Sequence, residues 1–147
     1  MTLKSHADML SAVVVLAALS AAASQQPNRP GGVVIVKADE VAWTDYPNRP
    51  GVKLAMIEGD LTGPFLMRVK FPAGYTLARH THPSIEHTIV LSGELRVGYG
   101  TAAGGASEVL PPGTVIITPP NTPHFLAAAI ETIVQTHGVG PWGSPAK

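Results

Sequence analysis

The stretch His80-Thr81-His82-Pro83-Ser84-Ile85-Glu86-His87 places three of the chain's six histidines and a glutamate within eight residues. Imidazole and carboxylate together serve proton transfer or the holding of a divalent metal. In a strand, residues two apart share a face, so His80 and His82 point one way while Arg79 and Thr81 point the other. Pro83-Ser84 turns the chain and a second strand begins at Ile85. Glu86 is then expected to come back beside the two imidazoles from the neighbouring strand. Two neutral imidazoles and a carboxylate form the facial set that binds a divalent first-row metal and leaves positions open. The best fourth donor is His124, on a distant strand, because Thr122-Pro123-His124 also leads out of a turn into a strand.

Other titratable groups are placed by the same alternation. His87 follows Glu86 and turns away from the metal, so it reads as a structural or interface residue. His137 shares one face of the last strand with Glu131, Ile133 and Gln135. If that face lines the interior, Gln135 and His137 can orient a substrate or relay protons. If it faces outward, His137 only ends the strand before Gly138. Tyr75 is a second acid–base candidate, and Tyr75, Phe125 and Trp142 also suit the packing of a barrel and its mouth. Arg68 and Arg79 alternate away from the core and read as solvated charges.

The elements that must carry these residues are short. In Pro64–Phe71, residues Phe65, Met67, Val69 and Phe71 fall on one face and Leu66, Arg68 and Lys70 on the other. Leu95, Val97 and Tyr99 alternate with Glu94 and Arg96. A Pro-Gly turn precedes a strand at Thr114–Thr118, and a Pro-rich turn follows it. The segment from Glu131 to Gly138 reads as a closing strand, and Val33–Val36 as an opening one. Thr101–Ser107 is a loop between strands. The motif Pro-Asn-Arg-Pro-Gly occurs at Pro27–Gly31 and again at Pro47–Gly51. Five residues are too few for a structural repeat, and Pro50-Gly51 suits the centre of a type II turn. Regularly spaced short strands predict an all-β antiparallel sandwich or barrel.

Composition bounds the rest. The chain has 147 residues, 10 basic and 10 acidic side chains and no formal net charge, so it lacks a field that would gather nucleic acid or an anionic membrane. It has 15 glycines and 14 prolines, which fits many turns, and no cysteine, which removes disulfides, thiol catalysis and cysteine-based zinc sites. Residues 1–23 carry Lys4, an apolar run from Met9 to Leu19 and the small residues Ala21-Ala22-Ala23. That pattern predicts a cleavable signal peptide with Ser24 as the first mature residue, and a periplasmic or secreted protein. His6 falls in that leader and is set aside. The run is too short for a comfortable membrane anchor. Residues 24–32 read as a flexible segment and residues 33–147 as the folded domain.

Spacing adds a resemblance. Gly74, five residues, His80, one, His82, three, Glu86, six and Gly93 match the first motif of the cupin superfamily without a gap. Gly113, Pro119 and His124 fit the second motif, with Asn121 where glycine is frequent and Ala128 where asparagine is frequent. The chain resembles the small exported metal-binding cupins of a single domain, over most of its mature length. The resemblance implies a jelly-roll barrel of two antiparallel sheets with a metal on His80, His82, Glu86 and His124. Metal-free members of that superfamily have usually lost ligand residues, and all four positions are filled here.

Three functions are consistent with such a site. One is a dioxygenase in which Fe, or Mn, Ni or Cu in its place, binds a chelating enolate or catecholate and activates oxygen. The second is a redox-neutral isomerase or lyase in which the metal, Zn included, acts as a Lewis acid with His137 or Tyr75 as its acid–base partner. The third captures a small molecule or metal without turnover. The apolar composition suits the dry pocket of an oxygenase, and the preference for it over an acid–base enzyme rests mostly on analogy with the fold the resemblance implies. No nucleotide loop, Ser-His-Asp order or basic stripe is present, which argues against phosphoryl transfer, triad hydrolysis and nucleic-acid binding. Edge strands of such a fold commonly pair, so a homodimer is expected.

Overall fold

The computed structural model describes residues 32–100 and 106–143. The expected leader, most of the segment after it and the centre of the Thr101–Ser107 loop lie outside those residues. Among the described residues, a 3-10 turn at Ala38–Glu40 precedes ten strands. These are β1 (Thr44–Asp45), β2 (Lys53–Gly59), β3 (Pro64–Phe71), β4 (Tyr75–His80) and β5 (Glu86–Ser92), followed by β6 (Leu95–Tyr99), β7 (Ser107–Leu110), β8 (Val115–Thr118), β9 (His124–Ala128) and β10 (Thr132–Val139). They form a six-stranded sheet in the order β1-β2-β3-β10-β5-β8 and a four-stranded sheet in the order β4-β9-β6-β7, with every pairing antiparallel. This is the expected jelly-roll barrel.

Alternation builds the interior. Along β3, Phe65, Met67, Val69 and Phe71 are buried while the residues between them are partly exposed. On β10, which pairs with β3 over its whole length, Thr132, Val134, Thr136 and Gly138 face in while Ile133, Gln135 and His137 face out, and Glu131 just before the strand is exposed. From the other sheet, Leu95, Val97, Leu110 and Ala128 meet these side chains, and the core lies between the two layers. Leu95 and Val97 are buried as expected, but Tyr99 reaches solvent at the end of its strand.

Two expectations need correction. Val33–Val36 forms no strand, and Val33, Val34 and Ile35 are exposed. β-branched side chains favour extended backbone, but a strand needs a partner for its amide groups, and none is offered within the described residues. The second concerns β4 and β5, whose spacing predicts adjacent strands. They belong to different sheets, and residues 81–85 carry the chain from one to the other. The sequence signal for turning, Pro83-Ser84, is the same for a hairpin and for a crossover between layers. Among the described residues no helix is long and apolar enough to cross a membrane.

Candidate metal centre

His80 and His124 are direct cross-strand partners on β4 and β9. A register shift in this pair between Leu77 and His80 re-aims the end of β4, as bulges do. His82 follows two residues beyond the strand. Its carbonyl accepts a hydrogen bond of 2.8 Å from the Asn121 amide, which ties the β8–β9 turn to the loop carrying His82. Asn121 has φ of 59°, a left-handed conformation that asparagine tolerates better than most residues. The departure from glycine therefore keeps the shape of the turn. The three imidazoles offer nitrogen atoms within 4.8 Å of one another, close enough to hold one metal ion.

Glu86 approaches from the opposite sheet, at the start of β5. It is 7% exposed, and its Oε2 lies 3.2 Å from His124 Nε2. Thr88 hydroxyl donates to Glu86 Oε1 at 3.1 Å, and Thr136, its cross-strand partner on β10, lies 3.1 Å from Thr88. These threonines escaped the sequence reading, although Thr88 follows Glu86 by two and so had to share its inward face. The carboxylate is thus on the far wall from two of the imidazoles rather than on a neighbouring strand.

Hydrogen bonding fixes two of the rings. Nδ1 of His80 lies 2.8 Å from the Ala78 carbonyl and Nδ1 of His124 lies 2.9 Å from that of Thr122. A carbonyl only accepts, so each Nδ1 carries the hydrogen and each Nε2 presents a lone pair, the arrangement found in metal-bound histidine. His124 is 1% exposed and its Nε2 has no aligned hydrogen-bond partner despite its approach to Glu86. His82 Nδ1 is also buried without a partner. Orphaned buried nitrogens are costly in a closed protein interior, and a cation bound between them would satisfy them. The residues present fit a first-row divalent metal.

Electrostatics agree with that reading. Burial drives His82 down to about 4, against the attraction of Glu86. Burial also lowers His80, against the Ala78 carbonyl. For His124 burial pulls downward, but the Glu86 carboxylate and the Thr122 carbonyl outweigh it and the value is raised. Burial pushes Glu86 upward, yet the His124 contact and the charge near His82 prevail and it stays below its ordinary value. Two imidazoles are therefore held neutral, and the third shares a proton's attraction with the carboxylate.

His80, His82 and Glu86 line a cleft whose other walls include Met67, Phe71, Leu77, Leu126 and Val134. Trp142 stacks on His82 with ring centres 3.8 Å apart, and meets Phe65 edge-on at 4.9 Å. Neither acid–base candidate from the sequence lines this cleft. His137 is exposed on the outer face of β10, opposite His87 on β5, with ring centres 5.8 Å apart. Gln135 faces out beside it and accepts a hydrogen bond from Arg68. Of the two faces left open for the closing strand, the outward one is observed, because β10 turns its threonines and Val134 to the core. Tyr75 begins β4, at the opposite end from His80, and stacks on Phe71 with centres 5.5 Å apart. The tyrosine on the cleft is Tyr46, and Arg49 stands near it. Arg49 lies within the Pro47–Gly51 turn motif and Tyr46 just before it, and nothing local in that motif signals a place on the cleft.

Comparison with known proteins follows from this geometry. Over residues 32–141 the sequence matches the family described as the ChrR cupin-like domain. A search of curated proteins gave no significant match. Among solved structures, the chain is similar to KdgF from Halomonas sp., with 21% identity and a TM-score of 0.59 over 78% of this chain and 96% of that one. It is similar to an RmlC-like cupin from Shewanella frigidimarina, with 20% identity and a TM-score of 0.59 over 77% and 91% of the two chains. A putative ethanolamine utilization protein Q from Salmonella typhimurium has 16% identity and a TM-score of 0.63, over 76% and 89%. At such identities the likeness concerns the fold. With both histidine motifs in place and most of the chain matched, this protein belongs to the ChrR cupin-like domain family of the cupin superfamily.

Proposed function

We propose that the chain is an exported metal-dependent oxidoreductase of dioxygenase type, acting on a small chelating organic substrate. The observation that carries this reading is the convergence of His80, His82 and His124, with the Glu86 carboxylate 3.2 Å from His124, beside an otherwise largely apolar cleft. These four residues are the ligand set, and one divalent metal, Fe, Mn, Ni, Cu or Zn, is the cofactor. Bound there, such a metal supplies open positions for a chelating substrate and for dioxygen. The chain's own part is orientation and exclusion. Ala78 and Thr122 hold two imidazoles by their Nδ1 hydrogens, Thr88 holds the carboxylate, and Trp142 covers His82. The apolar walls keep water away from whatever enters.

The redox-neutral alternative, an isomerase or lyase, draws on a different observation, the presence of Tyr46 on the cleft as a potential proton donor. Capture without turnover is the remaining alternative. Oxygen uptake by the Fe(II)-loaded protein across catechols, β-diketones and flavonols separates the three. Uptake with at least one class is expected. Product formation without oxygen supports the isomerase or lyase, and binding with no product supports capture.

Export rests on the N-terminal pattern and is tested by the mass of the protein recovered outside the cytoplasm, which should begin at Ser24. The proposed assembly is a homodimer, supported by Val115 and Ile117 on the edge strand β8, which are 59% and 61% exposed.

A further inference from the structure

Arg49 is the only lysine or arginine among the described residues that line the cleft beside His80, His82 and Glu86. Its place is set by the second copy of the Pro-Asn-Arg-Pro-Gly motif. The Tyr46 amide donates to the Val52 carbonyl at 2.9 Å, that of Arg49 to Tyr46 at 3.2 Å and that of Val52 to Arg49 at 3.1 Å. Asn48 takes a left-handed conformation with φ of 59°, and Gly51 one with φ of 79°. The loop is therefore closed on itself and presents Tyr46 and Arg49 to the cleft as a unit. The guanidinium lies over the Tyr46 ring, 5.0 Å from its centre.

Among the described residues no carboxylate is in ion-pair contact with Arg49. A half-buried guanidinium keeps much of its hydration until a ligand fills the cleft. Filling it with a neutral apolar body would strip that hydration without replacing it, which is unfavourable. Filling it with a body that brings its own anion restores the hydrogen bonds, and the planar fork of arginine matches a carboxylate in two places. The cleft thus selects for an anionic ligand and against a neutral one of the same shape.

We propose that Arg49 is a specificity-determining residue that pairs with a carboxylate of the substrate. The substrate class is a small organic acid with a chelating oxygen pair at one end and a carboxylate at the other, spanning from the donors to the Tyr46–Arg49 loop. The chelating end rests on the metal reading above; the carboxylate end does not.

The test compares catechol with 3,4-dihydroxybenzoate on the Co(II)-loaded full chain, read from the Co(II) absorption bands. The wild type should bind the acid at least about tenfold more tightly than catechol, as expected for a charge-assisted hydrogen-bonded pair. Arg49→Gln should remove most of that preference, changing catechol affinity much less and leaving cobalt stoichiometry unaltered, while Arg49→Lys should keep part of it. The same two ligands are titrated against metal-free protein by tryptophan emission, because Trp142 is on the cleft. There the acid should again be preferred and the preference should again depend on Arg49. Equal affinity for both ligands in the wild type overturns the proposal, as does an equal loss of both in Arg49→Gln. Preference for the acid without oxygen uptake removes the oxygenase and leaves Arg49's role standing. If the wild type retains no cobalt, the metal reading fails and the tryptophan titration alone decides for or against Arg49.

Discussion

Each donor side chain at the centre points inward for its own reason. His80 and His124 are held through Nδ1 by carbonyls two residues earlier in the chain, His82 by the stacked face of Trp142, and Glu86 by the Thr88 hydroxyl. Replacing His80 and His82 together with alanine should abolish stoichiometric metal while the circular dichroism of a β protein persists. His124→Ala should weaken retention less, since three donors remain. Thr88→Val keeps the shape and removes the hydroxyl. Metal affinity should fall by about 10- to 100-fold, as is typical when a partner of a ligand is lost, with elemental analysis and a competing chelator as the readouts. The proton balance gives a further prediction. His124 is raised above 6.5, so its proton is the last on the three rings to leave as pH rises. Metal must displace that proton, so affinity should climb as pH rises through the raised His124 value and then level off. The metal-free fold runs the other way: the stabilisation from protonated His124 beside Glu86 is full below 6.5 and fades as pH passes the raised value. A chelator competition between about pH 5 and about pH 8 covers this range, and a flat affinity would contradict the assignment.

At the level of elements, the barrel that carries the site depends on its turns. Gly93 closes the turn between β5 and β6 with φ of 78°, and a Cβ built on it would lie 2.3 Å from the Glu131 carbonyl oxygen. Gly93→Ala must therefore move backbone as well as accept an unfavourable dihedral. A loss of roughly 1–3 kcal/mol or more is expected, measured by denaturant unfolding. Much of this scale was legible beforehand. Phe65, Met67, Val69 and Phe71 lie on the buried face that alternation assigns them, and the turn at Pro111–Gly113 precedes β8. His137 and Tyr75 were harder. Alternation says which residues share a face but not which face is the inner one, and distance along a strand decides whether a tyrosine reaches the rim. Glu131, Ile133, Gln135 and His137 form such a set, and Thr132, Val134 and Thr136 took the interior instead.

For the whole molecule, the arrangement of sheets decides what touches what. β5 lies between β10 and β8 in one sheet, while β4 lies beside β9 in the other, so the barrel must close before Glu86 meets the imidazoles. Closure leaves β8 as an edge with Val115 and Ile117 outward, and an exposed apolar edge is a site of pairing. Val115→Lys with Ile117→Lys should convert a dimer to a monomer in sedimentation equilibrium without changing metal content. A dimer that survives both charges would place the interface elsewhere.

The amino-acid order alone pointed to the three histidines that the fold gathers, and to the barrel class. The spacing of His80, His82 and Glu86 is local, and binary patterning is likewise local. It also determined the turns, since proline, glycine and asparagine carry their backbone preferences with them. The tertiary structure alone decided that Glu86 comes from the facing sheet, that His137 and Tyr75 stand away from the cleft, and that Tyr46 and Arg49 stand on it. Those are contacts between segments distant in sequence. They follow from which layers pack together, and no local preference of a residue encodes that.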